Sequence, residues 1–220
     1  MLLIFGTRAR LKAVATGEFF CSGCGADRSY VLQQIRRWFT FFFVPLFPIG
    51  KVLGEQVKCS TCGSTFRPEV LNTPTSAAFS ETLKGATRVA AVAMLVAGDR
   101  ENPVPRAAAI AAARKSGSEN YDESWLARDI SAVDPSNLDE YLAPLAKGLN
   151  AQGKEVFIEQ IARIGLADGQ LSATETQLLE KLGAALGISA VYLRGIVVSI
   201  TADPQAPSAG DGPPDEHRLN

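Results

Sequence analysis

Two copies of the sequence Cys-x-x-Cys-Gly constrain this chain more than any other feature. Cys21-Ser-Gly-Cys24-Gly25 and Cys59-Ser-Thr-Cys62-Gly63 contain all four cysteines of the chain, and 34 residues lie between Cys24 and Cys59. Zn²⁺ prefers four soft ligands at the corners of a tetrahedron, and each Cys-x-x-Cys turn can supply two of them. The glycine after each pair is typical of a tight turn whose backbone takes a positive φ. The pattern therefore predicts one tetrathiolate site, with structural zinc as the favoured ion.

Two other uses of the cysteines remain open at this point. Disulfides are typical of exported proteins, but the apolar residues 1–5 precede Arg8, Arg10 and Lys12, which reverses the order of a signal peptide. We therefore expect a cytoplasmic protein with reduced cysteines. One iron ion on four thiolates would instead give a rubredoxin-like electron carrier with the same paired motif. The single histidine, His217, lies near the C-terminus and is not expected to be a ligand.

Composition divides the chain into segments. Residues 1–71 contain all the cysteines and nine of the eleven phenylalanines. The first 70 residues carry nine Lys or Arg against four Asp or Glu, whereas the remainder carries thirteen against nineteen. Residues 72–79 are polar and predict a linker, residues 80–202 predict a helical domain, and the Pro- and Gly-rich residues 203–220 predict a disordered tail.

The Ala- and Leu-rich residues 80–202 predict about seven helices. Ser80 begins the first, Pro144 should kink or break a helix at 138–149, and Ser172-Ala-Thr-Glu175 is a capping box that opens a helix ending near Gly187. The other candidates are residues 106–115, 125–133, 154–166 and 189–200. The predicted fold class is α+β, with a small antiparallel zinc ribbon followed by an all-α bundle.

Residues 38–50, Trp-Phe-Thr-Phe-Phe-Phe-Val-Pro-Leu-Phe-Pro-Ile-Gly, allow two interpretations. Since they are too short to span a membrane, which takes about 20 apolar residues, the favoured one is burial against Phe19, Phe20 and the following domain. The alternative is a membrane-surface or partner-binding patch, because the five phenylalanines lie beside basic residues. Nucleic-acid binding is possible but not favoured, since the basic residues are scattered along the sequence. These basic residues are Arg28, Arg36, Arg37, Lys51, Lys58 and Arg67.

The N-terminal motifs resemble those of a small bacterial zinc-ribbon family. They comprise an apolar N-terminus ending in Phe5-Gly6, the two Cys-x-x-Cys-Gly sequences, and a stretch that begins Arg-Trp-Phe-Thr and ends Pro-Ile-Gly at residues 37–50. The resemblance covers residues 1–63. It implies a β-ribbon held by structural zinc.

A second resemblance lies in the helical region. Ile164-Gly-Leu-Ala-Asp168-Gly-Gln-Leu-Ser172-x-x-Glu175 is similar to the signature of the TerB-like, or tellurite resistance, domain family. That family implies an all-α bundle and a setting in bacterial stress response, tellurite resistance included. Its acidic turn is viewed as a possible metal site, which makes Asp168 and Glu175 candidate contacts. The favoured alternative is structural, because Glu175 occupies the third position of a capping box and Asp168 precedes a turn glycine.

An internal repeat would place residues 93–114 over 162–183. Asp99 then aligns with Asp168, but Arg106 replaces Glu175, which weakens a two-sided acidic site. The sequence contains no Ser/His/Asp set and no phosphate-binding glycine loop. We therefore expect a non-enzymatic adaptor with an unidentified protein partner. The alternatives are a nucleic-acid-binding ribbon with a helical oligomerisation domain and the rubredoxin-like carrier.

Overall fold

The computed structural model describes residues 5–41, 44–134 and 137–202. The chain divides into two compact units, Met1–Phe79 and Ser80–Asn220. The first is built on an antiparallel sheet and the second on helices, which confirms the predicted α+β class. The expected disordered tail, with His217, lies outside the described residues.

One four-stranded antiparallel sheet, in the order β1-β2-β3-β4, forms the N-terminal unit. The strands are β1 (Phe5–Cys21), β2 (Ala26–Phe41), β3 (Val44–Cys59) and β4 (Thr65–Phe66). The β1–β2 turn carries the first cysteine pair and the β3–β4 turn carries the second. Because neighbouring strands run antiparallel, both turns lie at the same end of the sheet.

The core of this unit lies at the cysteine end. Phe19 is buried and makes edge contacts with the rings of Tyr30 and Phe66, at centroid distances of 5.7 and 5.6 Å. Val57 is fully buried beside it, and Leu32, Val70 and Leu71 pack around this cluster. A 3₁₀ turn, Pro68–Asn72, supplies Val70 and Leu71.

The expected burial of residues 38–50 is wrong for the part of this segment that the structure describes. Val44, Leu46 and Phe47 are 56%, 53% and 52% exposed. The paired strands β1, β2 and β3 continue beyond the core, and their outer ends remain exposed. With a rise of about 3.3 Å per residue, Phe41 lies about 36 Å along β2 from Tyr30, far from Phe19.

The second difference from expectation concerns residues 76–79, which the sequence predicts to be part of the linker. They form the first turn of helix α1 (Ser76–Ala97). The Asp27 carboxylate, at the start of β2, accepts hydrogen bonds from the backbone N–H groups of Ser76 at 2.8 Å and Ala77 at 3.2 Å. These are donors that a helix start leaves without an intrahelical partner. Because Asp27, 49 residues earlier in the chain, supplies this cap, the helix begins at Ser76 and not at the predicted Ser80.

This cap predicts a pH-dependent helix start. The hydrogen bonds from Ser76 and Ala77 lower the pKa of Asp27. The cap therefore stabilises the helix start fully above about pH 4, and this stabilisation is lost as pH falls through the lowered pKa of Asp27 in the folded protein. We expect the hydrogen-exchange protection of the Ser76 and Ala77 amides, measured by NMR, to fall over that range. Asp27→Asn should show no such step, because the amide oxygen still accepts but does not titrate. An identical step in Asp27→Asn would contradict this assignment.

Helices make up the second unit. With α1, they are α2 (Pro103–Lys115), α3 (Glu123–Ala132), α4 (Leu138–Gly148), α5 (Ala151–Gly165), α6 (Ala173–Leu186) and α7 (Ala190–Ala202). Thus the described residues contain seven α-helices, as the sequence predicts. Four N-cap side chains accept backbone hydrogen bonds at the starts of α2, α3, α5 and α6, namely Asn102, Asp122, Asn150 and Ser172.

Helix α5 lies in the middle of the helical core and packs against α2, α6 and α7. The sequence places Val156, Phe157, Ile161 and Ile164 on roughly one stripe of this helix. The last three of these side chains are buried. Helix α4 continues through Pro144, so of the two predicted effects of this proline, a kink or a break, the break is wrong. Leu142 and Leu145 are buried on either side of the proline. Burying each leucine gains about 1.5–3 kcal/mol, which offsets the roughly 3 kcal/mol cost of an interior proline.

Candidate metal centre

The four cysteines form one cluster, as predicted. One Sγ atom from each of Cys21, Cys24, Cys59 and Cys62 lies within 4.8 Å of the other three. The Sγ atoms of Cys21 and Cys62, one from each pair, are 3.7 Å apart. A tetrahedral ion with metal–sulfur bonds of about 2.3 Å places its sulfurs about 3.8 Å apart. The cluster therefore fits a metal ion of this kind, and all four cysteines are free thiols.

Backbone turns aim each pair of sulfurs at the common centre. The carbonyl oxygen of Cys21 accepts from the N–H groups of Cys24 at 3.1 Å and Gly25 at 2.8 Å, and that of Cys59 accepts from Gly63 at 3.1 Å. Gly25 and Gly63 have φ values of 65° and 74°. This left-handed conformation is costly for residues with a Cβ, which explains the glycine after each pair.

Hydrogen bonds make the two sulfurs of the second pair acidic. The hydroxyl and backbone N–H of Ser64 lower the pKa of Cys62 to about 6. Backbone N–H groups, chiefly that of Cys62, lower the pKa of Cys59. The interaction with Cys62 raises the pKa of Cys24 to about 12. Metal ions bind thiolates and not thiols, so a lowered pKa favours the form of Cys59 and Cys62 that can act as a ligand.

The site sits at the edge of the small core. Cys21 and Cys59 are buried, Cys24 is half-buried and Cys62 is exposed. Phe19 and Val57 belong to the same buried cluster. An ion bound here would tie the β1–β2 turn to the β3–β4 turn.

The acidic turn between α5 and α6 is held by hydrogen bonds within the protein. The Glu175 carboxylate accepts from the Ser172 N–H at 2.7 Å, and the Ser172 hydroxyl accepts from the Glu175 N–H at 3.2 Å. This confirms the predicted capping box. Asp168 accepts from the side-chain amide of Asn102 at 3.1 Å. Among the described residues, neither carboxylate belongs to a group of three or more metal-ligating side chains.

The turns that the proposed repeat aligns lie side by side. Asn102 reaches Asp168, and the Thr174 hydroxyl donates to the carbonyl of Ala97 at 2.6 Å. A Cβ on Gly98 would lie 2.3 Å from Oε1 of Glu175, so a larger residue here would displace that carboxylate. Arg106, aligned with Glu175, instead forms an ion pair with Glu123. The two turns therefore differ in their side-chain partners.

A buried polar cluster in the helical unit was missed by the sequence interpretation. Asp129 is 8% exposed. It accepts from Arg88 Nε at 2.8 Å, from Arg88 Nη2 at 2.7 Å and from the Tyr121 hydroxyl at 2.6 Å. Burial and the neighbouring carboxylate raise the pKa of Tyr121 above its usual range. The available signal was the position of Asp129 three residues after Leu126, on the apolar stripe of α3.

Comparison with known proteins concerns the helical unit. A family model described as "Tellurite resistance protein TerB" matches residues 86–196, just over half of the chain. The match runs from α1 into α7 and includes the turn between Asp168 and Glu175. Comparison with curated proteins and with solved structures gives no match. Among the described residues, no helix combines the length and the apolar character needed to cross a lipid bilayer. The chain belongs to the TerB family of tellurite resistance proteins.

Proposed function

We propose that this protein is a non-enzymatic adaptor in which one structural zinc ion holds the N-terminal ribbon together. The observation that carries the proposal is the approach of four thiols from two distant turns to within 4.8 Å. Four protein ligands complete the tetrahedral shell of zinc and leave no open position for a substrate or water. The ion would therefore build a binding module and take no part in a reaction.

The small core of the N-terminal unit supports a structural role for the metal. Among the described residues of this unit, Phe19 and Val57 are the two buried apolar side chains besides the cysteines. Modules with so little buried surface commonly need a metal or disulfide to stay folded. A redox-active iron would fit four thiolates equally well by number, so metal identity distinguishes the rubredoxin-like alternative.

The TerB unit gives the proposal its biological setting. Family membership supports a place in bacterial stress response, such as tellurite resistance, and a protein partner in the cytoplasm. The two parts of the chain carry charge balances of opposite sign, which supports separate partners for each. We assign Asp168 and Glu175 to the structure of the turn, since each already has a hydrogen-bond partner in the protein.

Partner capture tests the adaptor role. The tagged full chain, expressed in its native host, should retain at least one protein in defined stoichiometry after stringent washing, identified by mass spectrometry. Cys59→Ser should lose any partner of the ribbon, whereas Ser60→Ala, on the same turn, should keep it because Ser60 is exposed and is not a ligand. If no protein is enriched with either the wild type or Ser60→Ala, the adaptor proposal is wrong.

A further inference from the structure

The end of the sheet opposite the cysteines combines exposed apolar side chains with cations that form no ion pair within the described part of the chain. We define the apolar tip as the described residues 39–41 and 44–47, and the basic band as five cations that follow it along β1 and β2. The band consists of Arg8, Arg10, Lys12, Arg36 and Arg37. We propose that the apolar tip inserts into the headgroup region of an anionic lipid membrane while the basic band contacts lipid phosphates.

Strand pairing places most of the basic band on one face of the sheet. Arg8, Arg10 and Lys12 alternate along β1 and therefore point to the same face. Arg10 lies directly opposite Arg36 in the register, and opposed residues of an antiparallel pair share a face. Arg37 projects from the other face of β2. Four cations thus lie on one face of the sheet and one on the other, just below the apolar tip.

This basic band has no anionic partner within the protein. Among the described residues, none of its five cations forms an ion pair with a carboxylate. The nearby carboxylate of Glu55 accepts from the side-chain amide of Gln34 at 2.8 Å. Within the part of the chain that the structure describes, Nε of Arg36 is buried without a hydrogen-bond partner, and its Nη2 donates to the side-chain oxygen of Gln34 at 3.3 Å. Like charges directly opposite on a sheet are destabilising, so an external anion would relieve the repulsion between Arg10 and Arg36.

The apolar tip has the dimensions of an interfacial anchor. Leu46 and Phe47 are 53% and 52% exposed, and the Phe47 ring stacks on Phe39 at a centroid distance of 5.3 Å. Phe41 lies three residues beyond Trp38, a distance of about 10 Å along the strand. Interfacial segments bury their apolar side chains about 5–10 Å deep. Arg8, paired with Trp38, would then lie at the level of the phosphates.

This combination favours a lipid surface over the other possible occupants. Nucleic acid would engage the cations but would leave the apolar tip in water. A second copy of the chain seated on the tip would bring two basic bands together, at a cost in repulsion. An anionic bilayer satisfies both features. This inference rests on the proposed adaptor role and adds a lipid surface as the partner of the apolar tip. If the chain captures a protein but does not bind vesicles, this inference is wrong and the adaptor role stands.

Co-sedimentation of the zinc-loaded full chain tests the proposal. Vesicles of phosphatidylglycerol and phosphatidylcholine in equal parts should bind it, and pure phosphatidylcholine should not. Arg8→Gln with Arg10→Gln should weaken binding about 25-fold at low salt, because each cation contributes about fivefold. Leu46→Ser with Phe47→Ser should weaken it at least tenfold at any salt concentration. Val191→Ser, which changes a 78% exposed residue of α7, should bind like wild type.

Three results would overturn the proposal. The first is absence of binding to the anionic vesicles by wild type. The second is binding of a single-stranded oligonucleotide with the same affinity by wild type and by the Leu46→Ser/Phe47→Ser variant. That result would indicate a nucleic-acid site that does not use the apolar tip. The third is a dimer, seen by sedimentation velocity, that this variant converts to a monomer. Circular dichroism and the zinc content of each variant show whether its substitutions leave the fold intact.

Discussion

Cys59→Ser is expected to unfold the N-terminal unit while the helical unit stays folded. Structural zinc contributes apparent binding free energies of about 10 kcal/mol or more in small modules, whereas the core around Phe19 and Val57 is small. The metal-binding free energy that is lost with one of the four thiolates should therefore exceed the free energy of unfolding of the sheet. In an NMR correlation spectrum, the backbone amides of β1–β3 should move to the chemical shifts of an unfolded chain. The amides of α2–α7 should keep their chemical shifts.

The metal content of the purified protein provides a second test of the structural role of zinc. The wild-type chain should be colourless and contain one zinc ion, and a strong chelator should reproduce the effect of Cys59→Ser. Ser60→Ala should retain both metal and fold. Calorimetric titration of the zinc-loaded chain with Ca²⁺ or further Zn²⁺ should give no heat, as a purely structural role of Asp168 and Glu175 requires. A folded sheet after complete metal removal would contradict the structural role, and a red iron-containing protein would establish the rubredoxin-like alternative.

Asp129→Ala is expected to destabilise the helical unit strongly, because it breaks a buried ion pair. Removing the carboxylate leaves the Arg88 guanidinium and the Tyr121 hydroxyl without their shared acceptor. Breaking a buried pair costs about 3–5 kcal/mol. Because the Arg88 side chain remains 31% exposed to water, we expect about 3 kcal/mol, measured by urea unfolding of the helical signal.

Two further variants distinguish the buried pair from a general effect of substitution in α3. Arg128→Ala removes a neighbouring cation that stacks over Trp125 at 5.1 Å, and it should cost about 1 kcal/mol or less. Replacing both partners, with Arg88→Met and Asp129→Leu, should recover much of the loss, since no unpaired charge then remains. A double variant as unstable as Asp129→Ala would show that packing, and not charge pairing, accounts for the loss.

The fold also explains why the basic residues looked scattered. In the sequence, Arg8, Arg10 and Lys12 lie more than 20 residues from Arg36 and Arg37. The antiparallel register of β1 and β2 brings Arg10 opposite Arg36. The alternation along β1 was visible in the sequence, but its meaning depended on which strand lies beside it.

The sequence by itself determined those features whose causes lie within a few residues. The glycine after each cysteine pair, the capping box of Ser172 and Glu175 and the apolar stripe of α5 all follow from local geometry, so they could be predicted. The pairing of the two cysteine turns was also predictable, because one tetrahedral ion requires four ligands and the chain has only four cysteines.

Only the tertiary structure decided what depends on residues far apart in the chain. Asp27 caps α1 from 49 positions away, and Asp129 meets Arg88 across 41 positions. The exposure of Leu46 and Phe47 follows from strands that run beyond the core, which no local pattern specifies. Burial and pairing depend on which surfaces meet after folding, and the free energy that selects those surfaces is summed over the whole unit. The two cysteine pairs could therefore be predicted as one site, whereas the surface at the opposite end of the same strands could not.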